Sequence, residues 1–211
     1  MNDIASEHSA IDLNNPDYYF NRELSLLQFN LRVLEQAMDD SHPLMERLNF
    51  LLIFSSNMDE FFEIRVAGLK NKLETHTGQP GPDGMLAEEV LKEISRITHE
   101  AVDRQYHILN NILLPALREE GVDFLRREDW TEAQIEWVKK YFREQIYPVL
   151  TPIALDPSHP FPRLVNKSLN FIVELDGKDA FGRETGMAIV PAPRSLPRLV
   201  RLPDDVCNGG D

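Results

Sequence analysis

From Glu23 onward the apolar positions Leu24, Leu27, Leu31, Leu34 and Met38 recur every three or four residues, which predicts an amphipathic helix ending at "DDSHP". Pro43, a favoured first-turn residue, opens a second helical pattern through Leu44, Leu48, Leu51 and Leu52 to a polar break at Ser55. That segment is apolar nearly all round, so it is expected to be buried. A third helix is expected to start at the break and to carry Phe61, Phe62, Ile64, Leu69 and Leu73 as far as "THTGQPGPDG", whose Gly and Pro cannot continue it. Beyond that loop, Leu86, Val90, Ile94, Ile97, Ala101, Ile108, Ile112 and Leu113 keep one helical period to about Leu117, a length that spans a whole domain.

The pattern then changes. "VDFLR" reads as a short strand, and Thr131 with Gln134 has the spacing of a capping box opening a helix through Trp137, Val138 and Phe142, ended by Pro148 and Pro152. "LNFIVEL" and "GMAIVPA" have strand composition and flank a loop containing Gly177 and Gly182, which predicts a β-hairpin, with "RLVRL" as a third strand. The expected fold is therefore α+β: a flexible arm over 1–17, a helical domain over 18–120, and an α+β domain over 121–211. The boundary is set near Gly121. The second domain has little chain left to cover its sheet edge and apolar faces, so the expectation is that the chain is the front part of something longer.

At 211 residues and 42% apolar content, two modest cores can be buried. The single Cys207 cannot form an internal disulfide, and together with the absence of a signal-peptide pattern and of any apolar run of bilayer length this points to a cytoplasmic protein without a transmembrane segment. With 22 basic and 35 acidic residues the net charge is −13, which argues against a nucleic-acid partner. Only the span from Arg163 to Arg201, with seven basic against four acidic residues (+3), leans towards anions, and that is a weak field.

Phosphate loops, dinucleotide fingerprints, paired cysteines and nucleophile elbows are all missing from the sequence. His99 and His107 lie eight apart on the long helix, without the carboxylates a metal site needs. His159, in the proline-locked "DPSHPFPR" with Arg163, has two readings, an anion or phosphoryl site and a packed turn, of which the second is favoured. Asp59 and Glu63 share a helix face and could hold magnesium together, but acids are also what the dipole of a first helical turn favours.

Asn57 stands at the break in "FSSNMDEFF" and has two chemically sound registers. In one it is the N-cap, with Glu60 returning the bond; in the other Ser56 caps with Asp59, and Asn57 becomes the first helical residue with its amide free. A free carboxamide there can pair with an adenine edge, its oxygen accepting from the exocyclic amine and its N–H donating to a ring nitrogen.

The stretch "NRELSLLQFNLRVLEQAMDDSHPLMERLNFLLIFSSNMDEFFEIRVAGLK" (21–70) resembles the N-terminal domain of the bacterial polyphosphate kinase family, and "YPVLTPIALDPSHPFPRLVNKSLNFIVEL" resembles the opening of that family's head domain. The resemblance implies an enzyme that transfers the terminal phosphate of ATP to inorganic polyphosphate, with ATP and polyphosphate as substrates, Mg2+ as cofactor and homo-oligomeric assembly. It also implies that the phosphorylated histidine, the magnesium ligands and most phosphate contacts belong to later, phospholipase-D-like domains. No catalytic residue and no metal ligand is therefore expected in this chain, which alone is expected to be inactive. The family position that maps here is the Asn of "S-x-N-x-D-E-F", namely Asn57, which the family sets against the adenine of ATP. The alternative expectation is a helical interaction or scaffold module with no nucleotide function.

Overall fold

The structure, a computed structural model, describes residues 12–75, 79–155, 160–177 and 186–207. The first eleven residues of the expected arm, the middle of the loop after Thr75, His159 and most of the hairpin loop with Gly182 lie outside the described residues. The polypeptide forms two compact units that meet in sequence between Phe124 and Leu125.

In the first unit, α1 spans Arg22–Gln36 and is capped by Asn21, whose side chain accepts from the N–H groups of Glu23 and Leu24. A short 3-10 turn, Pro16–Tyr18, precedes it and is capped by Asn15. The buried stripe of α1 runs Leu27, Asn30, Leu34 and on to Ala37, while Leu24 and Leu31 flank it and Met38 is exposed. The core face thus includes a polar residue that apolar periodicity passes over.

α2 spans Leu44–Glu60, flanked by Pro43, whose carbonyl accepts from Glu46 and Arg47. The expected break at Ser55 is absent: the helix runs unbroken through Ser55, Ser56 and Asn57, so neither capping register for Asn57 is formed. Three small polar residues tolerate a helix interior when the flanking Leu51, Phe54 and Met58 are buried in one core, because tertiary packing outweighs their weak propensity. Nor is α2 buried all round, since Met45, Leu52 and Ile53 are exposed within this unit.

The helix then widens into a π turn, Phe61–Val66, and resumes as α3, Ala67–Glu74. The Ala67 N–H reaches back five residues to the Phe62 carbonyl. Phe61 and Val66, five apart, are both buried, whereas Phe62 and Ile64, which belong to the apolar pattern of the expected third helix, are exposed. A second wide turn interrupts the long helix, which runs as α4 Ala87–Ile108, a π turn Leu109–Leu113, and α5 Leu114–Glu119. Again the buried pair, Ile108 and Leu113, is five apart. Pro115 lies directly after this turn, where its missing N–H and its ring would otherwise disrupt an α-helical ladder. Val90, Ile94, Ile97 and Ala101 of α4 join Leu27, Leu34, Leu51 and Phe54 in one core. Gly121, at φ +81°, ends the helix: its N–H bonds to the Arg118 carbonyl and that of Val122 to the Leu117 carbonyl, the double closure of a left-handed cap.

"VDFLR", which runs across the boundary between the units, forms no strand. In the second unit, α6 (Glu132–Tyr141) opens on the expected capping box, with the Gln134 N–H donating to the Thr131 hydroxyl at 3.3 Å and the Thr131 N–H donating to the Gln134 side chain at 3.0 Å. It ends through a π turn, Phe142–Ile146, and a 3-10 turn, Tyr147–Val149. The sheet is antiparallel with order β1-β3-β2, where β1 is Ile153–Ala154, β2 Asn170–Glu174 and β3 Met187–Pro191. The expected hairpin is β2 with β3, in register Ile172 opposite Ile189. The third strand is β1 and not "RLVRL", which is irregular and precedes a last short helix, α7 (Asp204–Cys207). Ile189 of the central strand is fully buried, while Phe171, Ile172 and Met187 are exposed. No helix among the described residues is long and apolar enough to cross a membrane.

Candidate functional site

A cleft of about 240 Å3 opens in the first unit between α1 and the junction of α2 with its π turn. Leu26, Phe29 and Asn30 line it from α1, Asn57 and Glu60 from the end of α2, and Phe61, Ile64 and Arg65 from the π turn. An apolar lining with a few convergent polar groups is the usual composition of a small-molecule site, and the volume suits one planar ring system better than a whole nucleotide. The π turn contributes directly: by admitting an extra residue it carries Ile64 and Arg65 out of the core and onto the cleft.

The two asparagines are hydrogen-bonded across the helix pair. Asn57 Nδ2 donates to Asn30 Oδ1 at 2.9 Å, and Asn30 Nδ2 donates to the Leu26 carbonyl at 3.1 Å. Asn30 is 2% exposed and Asn57 is half-buried. A carbonyl accepts only, so the Leu26 oxygen fixes which end of the Asn30 amide faces it; Asn30 must then present its oxygen to Asn57, and Asn57 its nitrogen to Asn30. The chain of bonds leaves the Asn57 oxygen and its second N–H outside this pair, and Asn57 is one of the residues that line the cleft. A carboxamide so held can accept from an amine and donate to a ring nitrogen at once.

The remaining candidates lie elsewhere. Asp59 and Glu63 flank the start of the π turn rather than a first helical turn, so the dipole argument for acids there does not apply. Among the described residues no group of three or more His, Cys, Asp or Glu side chains stands together as a candidate metal site. His99 and His107 are exposed and bonded along their own helix, His99 Nδ1 to the Ser95 carbonyl at 2.7 Å and His107 Nδ1 to Asn111 at 2.8 Å. Arg163 is exposed, and His159 beside it is outside the described residues. Sequence reasoning missed Asn30. Its signal was present: an Asn three residues after Leu27 and four before Leu34, on the face that packs.

Comparison with known proteins gives a consistent result over nearly the whole length. Residues 19–125 match the model of the polyphosphate kinase N-terminal domain and residues 133–211 that of the polyphosphate kinase middle domain. The polyphosphate kinase of Pseudomonas syringae pv. tomato is 60% identical over 202 residues, covering 96% of this chain and 27% of the relative. That of Pseudomonas aeruginosa is 59% identical over 199 residues, covering 94% and 29%. The chain thus spans little more than a quarter of the length of these curated relatives. Among solved structures, the crystal structure of polyphosphate kinase from Porphyromonas gingivalis superposes with a TM-score of 0.70 at 30% identity, over 87% of this chain and 26% of the other.

Proposed function

The chain belongs to the polyphosphate kinase family, and from that premise we propose that it carries the adenine-recognising wall of an enzyme that transfers the terminal phosphate of ATP to inorganic polyphosphate. The supporting observation is the Asn57 carboxamide, bonded to Asn30 through one N–H and lining the largely apolar cleft. Adenine places its ring between Leu26, Phe29, Phe61 and Ile64 and pairs its amine and ring nitrogen with Asn57. Glu60 and Arg65 are the charged residues of the cleft lining.

Phosphoryl transfer between two polyanions needs concentrated positive charge and a metal around the moving phosphate. An acidic helical unit whose described residues hold no metal-ligand cluster does not supply them. The phosphate chemistry, with its magnesium and its phosphorylated group, is therefore assigned to residues outside this chain, in a cytoplasmic homo-oligomer. This chain alone is expected to show no ATP-dependent polyphosphate synthesis, and measurable chain growth from it would contradict that assignment.

The test of the adenine reading is the ratio of catalytic efficiencies for ATP and GTP in a full-length kinase carrying this sequence. Asn57→Ala removes one bidentate base contact, a discrimination of roughly 1–3 kcal/mol, so the ratio falls by about 5- to 150-fold. An unchanged ratio sinks the reading.

A further inference from the structure

The pairing of the two asparagines points to a second specificity determinant. We propose that Asn30, which lies behind Asn57 and is itself 2% exposed, selects adenine over guanine by locking the Asn57 amide in one of its two flip states. The inference rests on the adenine reading above and extends it to a residue placed behind the base contact.

A carboxamide is nearly symmetric in shape and opposite in polarity at its two ends. With oxygen towards the exocyclic position it complements adenine, which offers an amine there and a ring acceptor beside it. Rotated by half a turn it complements guanine equally well, which offers a carbonyl oxygen and a ring N–H in the same two places. An Asn free to rotate accepts either base, so Asn57 discriminates only if something fixes its rotation.

The structure contains such a device. The Leu26 carbonyl has no donor state, so it holds the Asn30 nitrogen at 3.1 Å; the Asn30 oxygen is thereby aimed at Asn57, which answers with its nitrogen at 2.9 Å. A flipped Asn57 would set oxygen against oxygen at that distance inside a buried site, leaving both without a donor. The backbone polarity of α1 is in this way relayed through Asn30 to the edge that meets the base. Asn30 spends its amide nitrogen on Leu26 and its oxygen on Asn57, so it acts as a positioning residue.

The experiment measures ATP and GTP efficiencies for wild type, Asn57→Ala, Asn30→Leu and Asn30→Asp in the full-length kinase. Partial misfolding lowers both efficiencies alike and cancels in the ratio. Asn30→Leu frees the flip, so the ATP-to-GTP ratio falls by about 5- to 150-fold, as for Asn57→Ala. The two variants differ in how they get there: Asn30→Leu raises GTP use, because the flipped amide now serves guanine, whereas Asn57→Ala lowers ATP use. Asn30→Asp restores the wild-type ratio, since a carboxyl oxygen still accepts from Asn57 and burial favours the protonated acid, whose O–H donates to Leu26. Loss of the ratio in Asn57→Ala with no change in Asn30→Leu overturns the locking role and leaves the adenine reading standing. Loss of the ratio in Asn30→Asp as well as in Asn30→Leu overturns it too, since a protonated carboxyl that keeps both bonds should keep the lock. No change in Asn57→Ala defeats the adenine reading, and the locking role with it.

Discussion

The bond between Asn57 and Asn30 makes a prediction about stability that needs no nucleotide. Asn57→Ala deletes the donor and leaves the Asn30 oxygen in a buried site without a partner, at a cost of about 1–3 kcal/mol. Against this, Ala is the better helix former in the interior of α2, by up to about 0.7 kcal/mol. The net expectation is a loss of roughly 0.3–2.3 kcal/mol. In an Asn30→Leu background there is no buried acceptor to strand, so Asn57→Ala there is neutral or stabilising. The double-mutant cycle should thus return a coupling of about 1–3 kcal/mol. Urea unfolding of the chain followed by far-ultraviolet circular dichroism measures it, with tryptophan fluorescence as an internal control, because both tryptophans, Trp130 and Trp137, lie in the second unit. An N-cap role for Asn57 would instead cost about 1 kcal/mol in both backgrounds. Equal cost with and without the Asn30 acceptor would refute the bonded pair.

Other perturbations test other links. Thr131→Ala removes the capping-box acceptor of α6 and should cost the second unit about 1 kcal/mol, read from the fluorescence of Trp130 and Trp137 in urea, with the helical signal of the first unit unmoved. Pro115→Ala restores an N–H at an exposed helical position, so the chain should gain stability, by less than the full ~3 kcal/mol of a helix-interior proline because the preceding π turn already absorbs part of the conflict; a lower melting temperature would show the proline to be needed for the turn. The exposed Phe171, Ile172 and Met187 on a small sheet should drive self-association of the chain, and Ile172→Lys should weaken it in sedimentation velocity runs at rising concentration.

Much of the helical unit was legible because its apolar positions follow one period for long stretches, as from Val90 to Ala101. The capping box at Thr131 and the hairpin between β2 and β3 were legible for local reasons, a fixed three-residue spacing and β-branched composition. The failures share a cause in non-local packing. Ser55, Ser56 and Asn57 look like a helix boundary by propensity, but three buried neighbours on one face hold the helix through them. The two π turns of the first unit put the next buried residue five positions on, Phe61 to Val66 and Ile108 to Leu113, so a period of three or four takes in Phe62 and Ile64 and passes over Val66. "RLVRL" has strand composition, but Ile153–Ala154 takes the place beside β3.

The same two errors bear on the candidate site. Had a cap stood at Asn57, its side chain would have been spent on the backbone N–H groups of its own helix, and the amide could not have faced a ligand. A continuous helix satisfies those backbone groups internally and frees the carboxamide, while the π turn just beyond turns Ile64 and Arg65 outward beside it. The irregularity that defeats periodicity is therefore what builds the cleft. Its chemistry also fits an acidic chain: a base and a carboxamide are both uncharged, so their pairing is indifferent to a net charge of −13, whereas a triphosphate is not. Recognition of the base and stabilisation of the phosphates thus have opposite electrostatic needs, which favours placing them on different parts of one polypeptide.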